Sequence, residues 1–147
     1  MAFRVGAAPR IKVVDIGALP IEGISNSWDS LVEQDLCDTV GFEPNEEACA
    51  KLNAEAKPSQ QYLPYAIADG EPATFRQCNF PMTSSLLEPN AALLNMFSNL
   101  GELTKVVSRE PIDTHRLDDI DAAAGTDFLK LDVQGAELMI IENATKV

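Results

Sequence analysis

Short apolar runs separated by turn residues recur along the chain, and they predict its β-strands. The clearest run, residues 10–17, combines β-branched side chains with a closing glycine, as buried strands do. Similar runs predict strands at residues 38–43, 61–68 and 128–132. A shorter extended piece at residues 73–78 is expected to pair antiparallel at a sheet edge.

Amphipathic stretches lie between these runs and predict helices. Their positions are residues 28–34, 46–56, 91–97, 117–124 and 136–142. Ser27 and Asn45 stand where N-caps are expected, and acidic residues that suit the start of a helix dipole follow each of them. Residues 79–89 are predicted to be irregular, and residues 103–116 to be extended with an interruption at Pro111.

The order of the elements, in which strands and helices alternate, is typical of an α/β fold with a mostly parallel sheet and right-handed crossovers. At 147 residues the chain has the size of one domain. It stops soon after its fourth main strand and the following helix. We therefore expect residues 1–147 to form a single, truncated domain, and an open sheet edge of that kind would favour pairing into a homo-oligomer.

Polar residues mark the ends of three of the predicted strands. Asp15 and Gly17 close the first, Glu43 and Pro44 follow the second, and Asp132 lies where the last strand passes into a helix. Ligands bind at the carboxyl edge of open α/β sheets, so these residues form the candidate site.

The class of ligand follows from what the first loop contains and lacks. Gly17 allows a close approach of the backbone, and a carboxylate such as Glu43 accepts hydrogen bonds from the two hydroxyls of a ribose. The G-x-G-x-x-G pattern that cradles a pyrophosphate is absent, and Asp15 and Glu43 are further apart than the roughly 20 positions of the dinucleotide fingerprint. A nucleoside without phosphates is therefore favoured over NAD or FAD.

Composition narrows the partners and the compartment. The net charge of −12 argues against nucleic acid or an anionic membrane as the main partner. No apolar run approaches the roughly 20 residues of a membrane span. Three cysteines and one histidine provide no Cys/His spacing for a metal. We predict no metal site, and reduced, buried thiols in a cytoplasmic protein.

Five segments of the chain resemble those of one enzyme family, in the family's order. They are Val13-Val-Asp-Ile-Gly-Ala18, Val40-Gly-Phe-Glu-Pro-Asn45, Ala66-Ile-Ala-Asp-Gly70, Ser84-Ser-Leu-Leu-Glu-Pro89 and Phe128-Leu-Lys-Leu-Asp-Val-Gln-Gly-Ala-Glu137. The last segment is the most specific, and from Val13 onward the chain resembles the FkbM family of S-adenosylmethionine-dependent methyltransferases. The resemblance implies a Rossmann-like class I methyltransferase fold. It also implies methyl transfer to a hydroxyl of a small molecule, such as a secondary metabolite, or of a sugar or glycan.

The resemblance also implies the residues that bind the cofactor, S-adenosylmethionine. Asp15, Gly17 and Ala18 would shape the first loop against its methionine part. Glu43 would accept hydrogen bonds from its ribose hydroxyls, and Pro44 would lie beside its adenine.

Further positions follow from the same resemblance or from their chemistry. Ala68 and Asp69 would border the adenine, and Asp132 would lie between cofactor and acceptor. A general base assists an attacking alcohol, and Asp132, Glu137 and His115 are the candidates. Asp132 has capping of the last helix as an alternative role, and His115 has a surface or structural role. For Glu137 the alternative is a structural contact with Lys130 or Arg116.

One departure from the family pattern affects the first loop. Residues 19–22, which begin with Leu19 and Pro20, occupy the place where the family has Asn and then another Gly. Pro20 has no backbone N–H to donate. This leaves open a second hypothesis, a binding module that keeps the fold without catalysis. A nucleotide-dependent oxidoreductase, the third hypothesis, is disfavoured by the missing glycine pattern.

Overall fold

The described residues, 10–21 and 23–147 of the computed structural model, form a mixed α/β structure. The strands are β1 (Ile11–Ile16), β2 (Cys37–Phe42), β3 (Gln60–Leu63), β4 (Ala66–Ile67), β5 (Ala73–Cys78), β6 (Val106–Ile112), β7 (Thr114–His115) and β8 (Phe128–Leu131). The helices are α1 (Asp29–Glu33), α2 (Glu46–Glu55), α3 (Ala91–Leu94), α4 (Leu100–Leu103) and α5 (Glu137–Glu142). No helix in these ranges is long and apolar enough to cross a membrane.

Contacts within the chain divide it into two units. Unit 1 contains the described residues up to Pro64 together with Ala122–Lys130. Unit 2 contains Tyr65–Asp121 and Leu131–Val147.

The central sheet has the strand order β3-β2-β1-β8. β1 pairs in parallel with β2, and β2 in parallel with β3. Asp127, just before β8, contacts Lys12 near the start of β1, whereas Lys130 reaches Gly17 beyond the end of β1. β8 therefore runs in the same direction as β1, and the prediction of an α/β fold with a mostly parallel sheet is confirmed.

The core of unit 1 lies against β1 and β2, because these strands carry apolar side chains on both faces. Val13, Val14 and Ile16 are buried, and Phe42 is fully enclosed. Trp28 is also buried, whereas its ring partner Phe128 is 49% exposed.

Helix α2 begins where its sequence predicted. The side chain of Asn45 accepts a hydrogen bond from the Ala48 N–H at 2.8 Å, which satisfies one of the free donors of the first turn. The predicted cap at Ser27 was wrong. Helix α1 starts after Trp28 without a side-chain cap, and the Asp29 carboxylate accepts from the Asn26 N–H instead.

The single strand predicted at residues 61–68 was wrong, because the chain divides it at Pro64. Its first part is β3, which extends the central sheet of unit 1, and its second part is β4, which pairs with β7 in unit 2. Proline has no N–H for a strand ladder, which gives the chain a natural place to leave one sheet.

The remaining elements agree with the prediction only in part. β5 pairs antiparallel with β6, as predicted for residues 73–78. The helix predicted at residues 117–124 is instead two 3-10 turns, Leu117–Asp119 and Asp121–Ala123. Ile120 between them has an extended backbone, which interrupts the helical hydrogen bonds.

Candidate functional site

The turn after β1 is the first part of the candidate site. Gly17 has a φ of 79°, in the left-handed region that glycine adopts at little cost. The N–H groups of Gly17 and Ala18 both donate to the Phe42 carbonyl oxygen at 3.1 Å. These bonds fix the turn to the end of β2, and Glu43 is the next residue along that strand.

Lys130 also holds this turn, from β8, the strand that neighbours β1 on the side opposite to β2. Its ammonium lies 2.9 Å from the Asp15 carboxylate and donates to the Gly17 carbonyl oxygen, also at 2.9 Å. Asp15 is 5% exposed, so this ion pair keeps its charge from being buried without a counter-ion.

This role of Lys130 was not predicted from the sequence. The available signal was a lysine placed between two leucines of an apolar strand, Leu129 and Leu131. A cation in such a position requires a partner, but the sequence does not say which one.

Glu43 provides a buried carboxylate at the end of β2. Its Oε1 accepts a hydrogen bond from the Asn45 N–H at 2.9 Å. Within the described part of the chain, no other protein group donates to this carboxylate. Burial raises the pKa of Glu43 although the Asn45 N–H lowers it. The carboxylate therefore has an oxygen open to a ligand donor, as a ribose diol requires.

The residues around Glu43 explain its position. Asn45 donates from its backbone to Glu43 and caps α2 with its side chain, so the start of that helix orients the carboxylate. Pro44 lies between them, half-buried. On β2 itself Gly41 leaves room for the Tyr62 ring, because a Cβ at residue 41 would lie 2.3 Å from a ring carbon.

The loop after Ala18 is open and apolar. Leu19, Ile21 and Ile24 are exposed, and Ile24 is 65% accessible. Glu22 lies outside the described residues. Pro20 is exposed as well, so the departure from the family pattern places apolar side chains on the surface beside the Gly17 turn.

Ala68 and Asp69 lie in unit 2, directly after β4. The Ala68 N–H donates to the His115 carbonyl oxygen at 3.0 Å, and Asp69 accepts from the Glu71 N–H at 3.1 Å. The Thr114 hydroxyl accepts from Gly70 and thereby closes the turn against β7. The His115 ring is exposed and lies 4.4 Å from the Tyr65 ring, centroid to centroid.

Asp132 lies in unit 2 at the start of the turn that joins β8 to α5. Its side chain is exposed, and Oδ1 accepts from the Gln134 side-chain amide at 3.2 Å. Glu137, the first residue of α5, turns its carboxylate back to the Val133 and Gly135 N–H groups, at 3.3 and 3.1 Å. Desolvation raises the pKa of Glu137, but the combined effect of these and other backbone donors is to lower it by more. The net shift of the pKa is therefore downward.

These contacts give the three candidate bases different chemistry. Glu137 is held by backbone donors and has a lowered pKa, which makes it a weaker proton acceptor than an ordinary carboxylate. His115 packs its ring on Tyr65. Asp132 presents an exposed carboxylate at the start of the turn before α5.

Within each unit, the structure brings some predicted residues together. Asp15, Gly17, Ala18, Glu43 and Pro44 are joined through the ends of β1 and β2 in unit 1. In unit 2, Ala68 is joined to His115, and Asp132 shares a turn with Glu137. Their roles in binding and catalysis stay predictions.

The chain was compared with families and with known proteins. The family model described as Methyltransferase FkbM domain matches residues 15–147, which is the chain from Asp15 to its last residue. Neither the search of curated proteins nor that of solved structures found a match.

Proposed function

Because this chain belongs to the FkbM methyltransferase family, we propose that it transfers a methyl group from S-adenosylmethionine to a hydroxyl oxygen of a small molecule or glycan. The observation that carries the cofactor part of the proposal is Glu43. It is a buried carboxylate at a strand end, with one oxygen held by the backbone and one open to a donor.

The residues of unit 1 fit a nucleoside with an amino-acid tail. Glu43 would accept hydrogen bonds from the ribose hydroxyls, and Pro44 offers an apolar surface to the adenine. Gly17 permits a close approach of the methionine part because it has no side chain. The bonds from Gly17 and Ala18 to Phe42 hold this turn in place before any ligand arrives, so little ordering entropy is lost on binding.

Methyl transfer needs alignment and a place for one proton. When bound, S-adenosylmethionine would supply an electrophilic methyl group on a sulfonium and would leave as neutral S-adenosylhomocysteine after the transfer. The Asp132 carboxylate would take up the proton that the acceptor hydroxyl loses. Alignment of the two reactants provides much of the rate enhancement, and the base provides the remainder.

Calorimetry with S-adenosylhomocysteine tests the cofactor assignment. The wild-type chain is expected to bind it, and Glu43→Gln to weaken binding about 10-fold to 100-fold, since a charge-assisted hydrogen bond contributes roughly 1.5–3 kcal/mol. Glu55→Gln, an exposed carboxylate at the end of α2, is the matched control and should bind normally. NAD serves as a control ligand, and binding of NAD in preference to S-adenosylhomocysteine would reject the proposal.

A second candidate function is supported by the first loop. Pro20 removes a backbone donor beside the Gly17 turn, which is consistent with a binding module that has lost catalysis. Such a module could still bind S-adenosylhomocysteine. Incubation with radiolabelled S-adenosylmethionine and a panel of sugars and hydroxylated metabolites separates the two. Label in a product supports the enzyme, and binding without any transfer supports the module.

A further inference from the structure

We propose that Ser85 and Glu137 are positioning residues, which hold the turn after β8 in the conformation that presents Asp132 to the acceptor. The inference rests on the proposed function, in which Asp132 accepts the acceptor's proton. All the residues that carry it lie in unit 2.

The turn contains a backbone conformation that its sequence does not favour. Gln134 has a φ of 59°, in the left-handed region, and Gly135 follows with a φ of 105°. A residue with a side chain adopts this region only at a cost in free energy, whereas glycine adopts it freely. Surrounding contacts must therefore hold Gln134 in place.

Two side chains supply those contacts on either side of Gln134. The Ser85 hydroxyl donates to the Gln134 carbonyl oxygen at 2.8 Å. The Glu137 carboxylate accepts from the N–H groups of Val133 and Gly135, the residues that flank Gln134. Together they hold both ends of the peptide group that follows Gln134, and Glu137 also holds the peptide group between Asp132 and Val133.

Ser85 is itself held rigidly. Its backbone exchanges two hydrogen bonds with Arg76 of β5, at 2.8 and 3.1 Å. Its hydroxyl oxygen accepts from the Leu87 N–H at 2.9 Å, which leaves its single proton for the Gln134 carbonyl oxygen. Ser85 is 7% exposed, so water does not readily replace this bond.

Leu87 adds a packing contact to the same turn. A Cβ at Gly135 would lie 3.1 Å from a methyl carbon of Leu87, which shows how closely the two segments approach. Ser85 and Leu87 therefore both support the turn.

A single hydrogen bond connects Gln134 of the turn to Asp132, the proposed base. The Gln134 side-chain amide donates to the Asp132 carboxylate, so a change in the Gln134 backbone moves a hydrogen-bond donor of the base. A displaced base slows proton transfer without changing how the cofactor is held. The expected signature is a lower kcat with an unchanged affinity for S-adenosylhomocysteine.

Alanine variants of the two serines test the proposal. Ser85→Ala is expected to lower kcat about 10-fold to 100-fold, the loss that a small misplacement of a reacting group causes. Ser84→Ala is the matched control, because its hydroxyl accepts from the Cys78 N–H and does not reach the turn. Ser84→Ala should retain kcat within about 2-fold. An equal loss in both variants would overturn the proposal.

Substitution of Gln134 separates positioning from general stability. Gln134→Gly removes the side-chain amide that binds Asp132, and glycine adopts the left-handed region freely. Adding Ser85→Ala should therefore lower kcat strongly in the wild-type background and little in the Gln134→Gly background. Equal effects in the two backgrounds would reject the role of Ser85.

A readout without catalysis distinguishes this proposal from the proposed function. Amide hydrogen exchange at Val133 and Gly135, whose N–H groups donate to Glu137, should become faster in Ser85→Ala and stay unchanged in Ser84→Ala. Should the wild-type chain neither bind S-adenosylhomocysteine nor transfer methyl groups, the proposed function fails while this test still applies. Exchange rates in this turn that are identical in all variants would reject the positioning role.

Discussion

The ion pair between Lys130 and Asp15 is the residue-scale feature with the largest expected effect on stability. Asp15 is buried, and the Lys130 ammonium also binds the Gly17 carbonyl oxygen. Lys130→Met should lower the free energy of unfolding by about 3 kcal/mol, because it leaves a buried carboxylate without its cation. Urea denaturation measures this loss, and S-adenosylhomocysteine binding should weaken with it.

Two further variants sharpen the test of this ion pair. Lys51→Met breaks an exposed ion pair on α2 and should leave the free energy of unfolding nearly unchanged, because solvent screens this pair. Adding Asp15→Asn to Lys130→Met should recover part of the stability, since the buried charge is then removed. Destabilisation of equal size in the Lys51 and Lys130 variants would contradict a structural role for the buried pair.

A second residue-scale prediction concerns the pH dependence of cofactor binding through Glu43. Burial raises the pKa of Glu43 in the free protein, and ribose hydroxyls donate more strongly to its ionised form than to the protonated one. Affinity for S-adenosylhomocysteine should therefore be full above this raised pKa and fall as the pH decreases through it. Calorimetry between about pH 4.5 and pH 8 measures the slope.

The control for this pH dependence is Glu43→Gln, which cannot ionise. Its affinity should be lower at neutral pH and should lack the part of the pH slope that Glu43 contributes. A wild-type profile parallel to that of the variant would show that Glu43 does not bind the ligand as a carboxylate.

At the scale of elements, the loop that follows Ala18 should limit cofactor binding. Leu19→Asn with Pro20→Ala restores a backbone N–H and removes an exposed apolar side chain. One added hydrogen bond contributes roughly 0.5–1.5 kcal/mol, so affinity for S-adenosylhomocysteine should increase about 3-fold to 10-fold. Ile24→Asn, an exposed apolar residue of the same loop, is the control and should leave affinity unchanged. Weaker binding in the double variant would show that Leu19 and Pro20 contribute to the site.

The elements also show how far local patterns reach. The first strand and the cap at Asn45 were predictable because both depend on neighbouring residues: β-branched side chains before Gly17, and an amide oxygen three residues from Ala48. The division at Pro64 was not predictable from neighbouring residues. β3 pairs with β2, whereas β4 pairs with β7, which lies far along the chain.

The same limit applies to the candidate site. Asp15, Glu43 and Asp132 stand at strand ends, so the sequence could place them. Lys130 could not be assigned, since its partners on β1 are set by the order of strands in the sheet. Nor could the role of Ser85, which depends on a contact with Gln134, 49 residues further along the chain.

At the scale of the whole molecule, the excess of acidic residues should make stability depend on salt. The net charge at pH 7 is −12, and repulsion among like charges disfavours the compact state. Salt screens this repulsion, because the Debye length falls from about 30 Å at 0.01 M to about 8 Å at 0.15 M. The Tm should therefore increase by about 2–4 °C when sodium chloride is raised between these concentrations, which corresponds to roughly 1 kcal/mol for a chain of this size.

The same titration near the isoelectric point of about 4.3 is the control, because little net charge remains to be screened. A Tm that decreases with salt at pH 7 would show that attractive pairs, such as those of Glu88 with Arg76 and Arg109, outweigh the repulsion of the acidic surface.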